Sequence, residues 1–347
     1  MTGLFIEFRD PLFGIIIFFL IIFIVAFFSY WWGRYKLKER SKTISRFAKE
    51  FHRLPTDEEL ASLLAMEHIS DGSIRLLAQT FVNNGDFEKA IELYQNLLER
   101  QTDGAKRLET MLLLGEVYFK AGFLARAKEV FLQILKLHPR TPKALEHLLL
   151  IYEYLKEYDN ALEVLEPLEE LGIDAKRDRL YLKLVAVIQD GKRTNEEKCE
   201  AIIAHYQKER SLSYLVYEFL FKHDTKRAWQ ILDDEEARHI PDLLWRLARD
   251  RVDFAAVQKL PFALELYSAK GYIDGAQSSE IFELDTLLRL RCAEKRSATI
   301  RFEYLCDECK QVFPFLFHRC PNCHAIESAQ CEMILTKEMD EKDHHFQ

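Results

Sequence analysis

Thr110–Pro139 reads TMLLLGEVYFKAGFLARAKEVFLQILKLHP. Apolar or small residues fall at Met111, Leu114, Gly115 and Tyr118, and again at Ala127, Phe131, Ile134 and Pro139. Spacings of three and four residues place each set on one face of a helix. Gly122 lies between the two sets and makes the turn, so the stretch predicts a pair of antiparallel helices. The same order recurs 37 residues earlier and 34 residues later. The earlier copy carries Ile74, Leu77, Ala78, Phe81, Ala90, Tyr94 and Leu97, with its turn at Gly85. The later copy carries Leu145, Leu148, Leu149, Tyr152, Ala161, Leu165 and Leu168. The three extra residues in the first offset fit the polar loop Gln101–Gly104.

A unit of about 34 residues with this pattern resembles the tetratricopeptide repeat, which stacks helix pairs into a solenoid. Ala78 or Gly115 on the first helix, and Ala90, Ala127 or Ala161 on the second, sit where helices cross closely. The third copy departs from the pattern, with Leu149 and Lys156 where small or turn residues are usual. The resemblance implies a concave face lined by first-helix positions: Arg75, Gln79 and Val82, then Leu112, Glu116 and Phe119, then Glu146, Leu150 and Glu153. Their mix of charge and apolar surface suits a peptide or protein partner.

Beyond Gly172 the pattern weakens. Leu180–Ile188 with Glu196–Lys208, and Leu212–Lys222 with Thr225–Leu232, read as further helix pairs. Pro241–Ala248, Phe254–Gln258, Phe262–Ala269 and Ser279–Arg291 read as helices that follow. Nothing between 54 and 290 reads as a strand-rich domain. The stretch has no GxxxxGK[ST], GxGxxG, HExxH or GxSxG, and its histidines are isolated. No catalytic constellation is visible, which points away from an enzyme.

The chemistry of the chain is concentrated in Tyr304–Cys323, YLCDECKQVFPFLFHRCPNC. Cys306, Cys309, Cys320 and Cys323 are spaced C-x2-C-x10-C-x2-C, the arrangement that presents four thiolates to one zinc or iron ion. A closed four-thiolate site leaves no position for substrate and favours a structural role. Cys320–His324 also matches the C-x-x-C-H pattern of haem attachment, but a second pair ten residues upstream favours a single metal ion. The same ligand set with iron would suit an electron carrier. Seven cysteines, four of them in one knuckle, argue for reduced thiols rather than a disulfide framework. Phe313, Phe315, Leu316 and Phe317 are too apolar for a ribbon of about thirty residues to bury alone, so some are expected to pack on helices near Leu284–Leu290.

Leu12–Trp32 is expected to span a membrane. No charged or polar side chain occurs from Leu12 to Phe28, and 21 helical residues rise ~32 Å. Tyr30, Trp31 and Trp32 form an aromatic belt. Arg34–Arg53 then carries eight Lys/Arg against Glu39 and Glu50, so the positive-inside rule places the N-terminus outside and the rest in the cytoplasm. The first 33 residues carry −1 and residues 34–53 carry +6, so the −8 of the whole leaves −13 for residues 54–347. That acidity argues against nucleic acid as a ligand.

An anchor ending in Trp32-Gly33-Arg34, a tetratricopeptide array and a knuckle running from Tyr304-Leu305-Cys306 to Cys323 together resemble the lipopolysaccharide assembly protein B family. The expected fold class is therefore all-α, with an N-terminal transmembrane helix, a tetratricopeptide-type α-solenoid and a small four-cysteine rubredoxin-like or zinc-ribbon knuckle. The expected divisions are 1–33, a basic linker at 34–70, the solenoid at 71–298, the knuckle at 299–335 and a tail at 336–347. The resemblance implies a bacterial inner-membrane adaptor that couples the deacetylase committing to lipid A synthesis with an FtsH-type membrane protease. It also implies a knuckle packed against the repeats. A general membrane-tethered scaffold or chaperone is a third class, and the sequence leaves self-association open.

Overall fold

The computed structural model describes residues 70–293 and 298–337. The expected membrane span and its basic flank lie outside the described residues. Among those described, no helix is long and apolar enough to cross a membrane. The chain divides into two compact units, residues 1–110 and 111–347.

In the first unit, helices α1 (Asp71–Asn83) and α2 (Phe87–Arg100) pack as an antiparallel pair. Ser70 caps α1 by accepting from the Ser73 amide. Ile74, Ala78, Phe81, Ala90, Tyr94 and Leu97 are buried, while Leu77 is half-buried. Helix α3 (Gly104–Lys120) begins in the first unit.

The second unit continues with α4 (Leu124–Leu137), α5 (Pro142–Tyr154), α6 (Tyr158–Glu170), α7 (Lys176–Gln189) and α8 (Asn195–Lys208). Each packs on the next through the face its periodicity predicts. Met111, Leu114, Tyr118, Ala127, Phe131 and Ile134 are buried, as are Leu145, Leu148, Leu149, Tyr152, Ala161, Leu165 and Leu168. The small residue at Gly115 has a steric cause: a Cβ there would lie 2.7 Å from the Phe131 ring, which is fully buried. Gly115→Val is therefore expected to destabilise the fold by about 1–3 kcal/mol, because a packed core resists added volume. Urea denaturation with an unchanged midpoint would show that the crossing has slack.

The repeat turns share one backbone solution. After α1, α3 and α5, residues Gly85, Gly122 and Lys156 adopt φ of 82°, 79° and 60°. The amide three residues past each helix end returns to a carbonyl five residues back, as in Phe123 to Tyr118 at 2.8 Å and Glu157 to Tyr152 at 2.8 Å. Lys156 thus holds a left-handed conformation that costs a side-chain-bearing residue about 1–2 kcal/mol. The turn persists there because the helices on either side are packed.

Past α8 the helices shorten: α9 (Ser213–His223), α10 (Thr225–Ile231), α11 (Asp234–His239), α12 (Pro241–Arg246), α13 (Phe254–Val257), α14 (Pro261–Lys270) and α15 (Phe282–Cys292). Sequence periodicity misses α11, which is six residues long. Its start signal is the cap of Asp233, which accepts from the Glu236 amide.

The C-terminal part corrects the all-α expectation. It is a three-stranded antiparallel sheet in the order β2-β1-β3, formed by Ala298–Cys306 (β1), Val312–Phe313 (β2) and Ala329–Lys337 (β3). Nine-residue strands pair from Ala298↔Lys337 to Cys306↔Ala329. Ile300, Phe302, Tyr304 and Cys306 alternate inward and are buried. That alternation is present in the sequence ATIRFEYLC, beside the more conspicuous cysteines.

Candidate metal centre

Each cysteine pair sits on a tight turn at the end of a strand or bridge. In the first, the Lys310 amide returns to the Cys306 carbonyl at 2.9 Å, and the Cys306 amide to the Gln311 carbonyl at 2.9 Å. In the second, the His324 amide returns to the Cys320 carbonyl at 2.9 Å, and the Cys320 amide to the Ala325 carbonyl at 2.8 Å. The residue after each second cysteine is left-handed, Lys310 at φ 57° and His324 at φ 62°. The two loops therefore repeat one geometry, and His324 holds a backbone position within it.

The four sulfurs lie within 4.8 Å of one another. Cys306 and Cys323 are 3.6 Å apart and Cys309 and Cys320 3.7 Å apart. Metal–sulfur bonds of about 2.3 Å in a tetrahedron require sulfurs about 3.8 Å apart, so the site fits one ion held by all four thiolates. Both cysteines of the C-x-x-C-H run belong to this cluster, which removes the basis for the haem alternative.

The local polarity suits thiolates. Burial opposes ionisation of Cys306, but the Cys309 amide, the Ser328 hydroxyl and the Glu308 amide outweigh it and bring the thiol down to about 6. Burial pushes Cys323 up to about 12, with the neighbouring thiols adding to the rise. Four sulfurs this close cannot all ionise without a cation among them. The donor set is that of zinc or iron.

The centre is fixed to the helices by polar contacts. Arg319, next to Cys320, donates from Nε to Glu153 of α5 at 2.7 Å, forms an ion pair with Asp178 of α7 at 2.9 Å and lies over the Tyr181 ring. Glu327 accepts the Tyr214 amide at 2.9 Å at the start of α9, where Leu212 offers no side-chain cap. His318 meets Glu218 of α9 at 2.8 Å. The fully buried Asp242 of α12 accepts from the hydroxyls of Tyr214 and Tyr304, each at 2.6 Å. Arg246 donates to the Tyr304 hydroxyl at 2.8 Å.

The expected route of docking is corrected in part. Helix α15 does lie against β1 and β3. The aromatic run instead gathers on itself, with Phe313 and Phe317 at 5.0 Å and Phe313 and Phe315 at 6.1 Å. Phe317 is buried, whereas Phe315 is 57% exposed. The residues that make the joint carry no motif. Arg319, Glu327 and Asp242 are single charged residues whose partners lie far away in sequence.

The nine expected partner-facing residues separate into distinct environments. In the first unit, Arg75 pairs with Glu109 at 2.5 Å, Gln79 donates to Asn83 at 3.2 Å, and Val82 is buried. In the second, Leu112, Glu116 and Phe119 are half-buried and Glu146 is exposed. The Phe119 ring lies 5.7 Å from His147 and 5.9 Å from Tyr154. Leu150 is buried in the core of α5, and Glu153 is occupied by Arg319. Val82, Leu150 and Glu153 are thus engaged within the chain itself, because a helix face between two neighbours has fewer free positions than the resemblance implies.

Comparison with known proteins identifies the repeats. The tetratricopeptide repeat model matches residues 75–122 and 112–174. The lipopolysaccharide assembly protein B of Escherichia coli is 33% identical over 102 residues, which cover 29% of this chain and 26% of that protein. The photosystem I assembly protein Ycf3 of Prochlorococcus marinus is 34% identical over 71 residues, covering 20% of this chain and 41% of that protein. The chain therefore spans about a quarter of the first relative and two fifths of the second. A solved tetratricopeptide repeat protein from Parabacteroides merdae aligns over 65% of this chain and 87% of its own, at 16% identity and a TM-score of 0.38. Residues 75–174 therefore carry tetratricopeptide repeats, and 102 residues of the chain are similar to lipopolysaccharide assembly protein B.

Proposed function

We propose that this repeat protein is a membrane-tethered adaptor that regulates lipopolysaccharide synthesis by bringing the deacetylase of lipid A commitment to an FtsH-type membrane protease. The observation that carries the reading is the 33% identity with lipopolysaccharide assembly protein B over 102 residues. The sequence adds an apolar span at Leu12–Trp32 with a basic flank, which the resemblance places in a bacterial inner membrane. The four-thiol centre, holding zinc or iron, braces the array. Tethering confines the scaffold to the membrane surface and raises its effective concentration toward other membrane proteins. Depleting the protein is then expected to lengthen the half-life of the deacetylase and raise its level, with excess lipopolysaccharide. An unchanged half-life would reject the protease-adaptor reading.

A further inference from the structure

The contact of Arg319 with the helices has the form of a ligand in a receptor site. The pocket is built wholly by helices: Glu153 from α5, Asp178 and Tyr181 from α7. One carboxylate faces Nε of the guanidinium and the other faces a terminal nitrogen, while the Tyr181 ring stacks below at 5.4 Å. This is the fork-and-platform geometry that distinguishes arginine from lysine. The side chains of Glu153 and Asp178 are only 16% and 24% exposed. Two carboxylates so enclosed are costly without a cation.

The occupant is held by the metal loop. Arg319 bridges to Ile326 and donates from a terminal nitrogen to the His324 carbonyl at 3.0 Å. Both contacts close the turn that carries Cys320 and Cys323. In so small a loop the binding energy of the ion is the folding energy of the turn. Removing the ion removes the frame that aims Arg319, and the receptor, built from helices, remains.

We propose that Glu153, Asp178 and Tyr181 form an arginine-receptor site for a protein partner, and that Arg319 fills it in cis while the metal centre is loaded. The metal state then decides whether a partner's arginine can enter. By reciprocity, a partner that fills the pocket weakens metal binding by the same factor. The inference rests on contacts within this chain and holds whether or not the lipid A reading does.

The test uses the 347-residue chain in detergent micelles and two probes, fluorescein-labelled tetra-arginine and tetra-lysine peptides. Metal-loaded wild type is expected to bind both weakly. Metal-loaded Arg319→Ala is expected to bind tetra-arginine at least tenfold more tightly, with no such gain for tetra-lysine. Adding Glu153→Gln and Asp178→Asn should abolish the gain. Should Arg319→Ala lose its metal or its cooperative melt, chelator-stripped wild type is compared with stripped Glu153→Gln/Asp178→Asn, and only the former should gain. No gain on opening the pocket, equal gains for the two peptides, or a gain that survives loss of both carboxylates would each overturn the proposal.

Discussion

Replacing Cys306 or Cys320 with Ser is expected to abolish stoichiometric metal binding and to unfold both cysteine loops. The two residues sit on different turns, each fully buried and each within 4.8 Å of the other three sulfurs. Loss of either leaves three thiols where four would enclose the ion. Structural four-ligand ions contribute on the order of 10–16 kcal/mol to small domains of this kind, far more than the core of so short a ribbon can supply. The loss should propagate: Arg319 and Glu327 flank the second turn, so α9 loses the carboxylate that accepts the Tyr214 amide. Metal counting with limited proteolysis reads both effects, through a missing equivalent and new cleavage between 298 and 337. Cys199, buried in α8 away from the cluster, serves as the control, and Cys199→Ser should keep its metal. A full equivalent of metal in Cys306→Ser would end the four-thiolate assignment.

The second large effect is expected at Asp242, where Asp242→Ala should destabilise the second unit by about 3–5 kcal/mol. The carboxylate has no exposure and accepts from two tyrosine hydroxyls belonging to different elements, Tyr214 of α9 and Tyr304 of β1. Truncation leaves both hydroxyl protons without their acceptor, Tyr304 keeping only the bond it accepts from Arg246, at about 1–3 kcal/mol for each unsatisfied donor. It also removes the carboxylate 3.7 Å from Arg246. Asp242→Asn keeps an acceptor and should lose less. Urea denaturation monitored by tyrosine fluorescence measures the difference, and a loss under about 1 kcal/mol for the alanine variant would mean the joint is held elsewhere. Metal content in this variant separates the two ideas, because the cysteine turns are intact and the ion should still bind, though more weakly.

These two expectations draw on different kinds of information. The repeats were legible because helix periodicity is local: Met111, Leu114, Tyr118, Ala127 and Phe131 reach the core through spacings that any 3.6-residue helix imposes. Gly85 and Gly122 mark turns for an equally local reason, since a left-handed residue is cheapest without a Cβ. Four cysteines in two C-x2-C pairs announced a cluster able to hold one ion, because thiols at that spacing converge on one point with little help from the rest of the fold. The strand Ala298–Cys306 was also readable by its alternation.

What only the tertiary structure decided is how the parts are joined. Arg319 lies 166 residues from Glu153 and Tyr304 lies 62 residues from Asp242. A single charge or hydroxyl gives no sign in sequence of which distant partner will satisfy it. For the same reason the resemblance to the repeat family could imply Glu153 and Leu150 as partner-facing positions. The periodicity reports which face of a helix a residue occupies, and the packing of the metal loop and the neighbouring helices determines whether that face meets solvent, a partner or the protein's own chain.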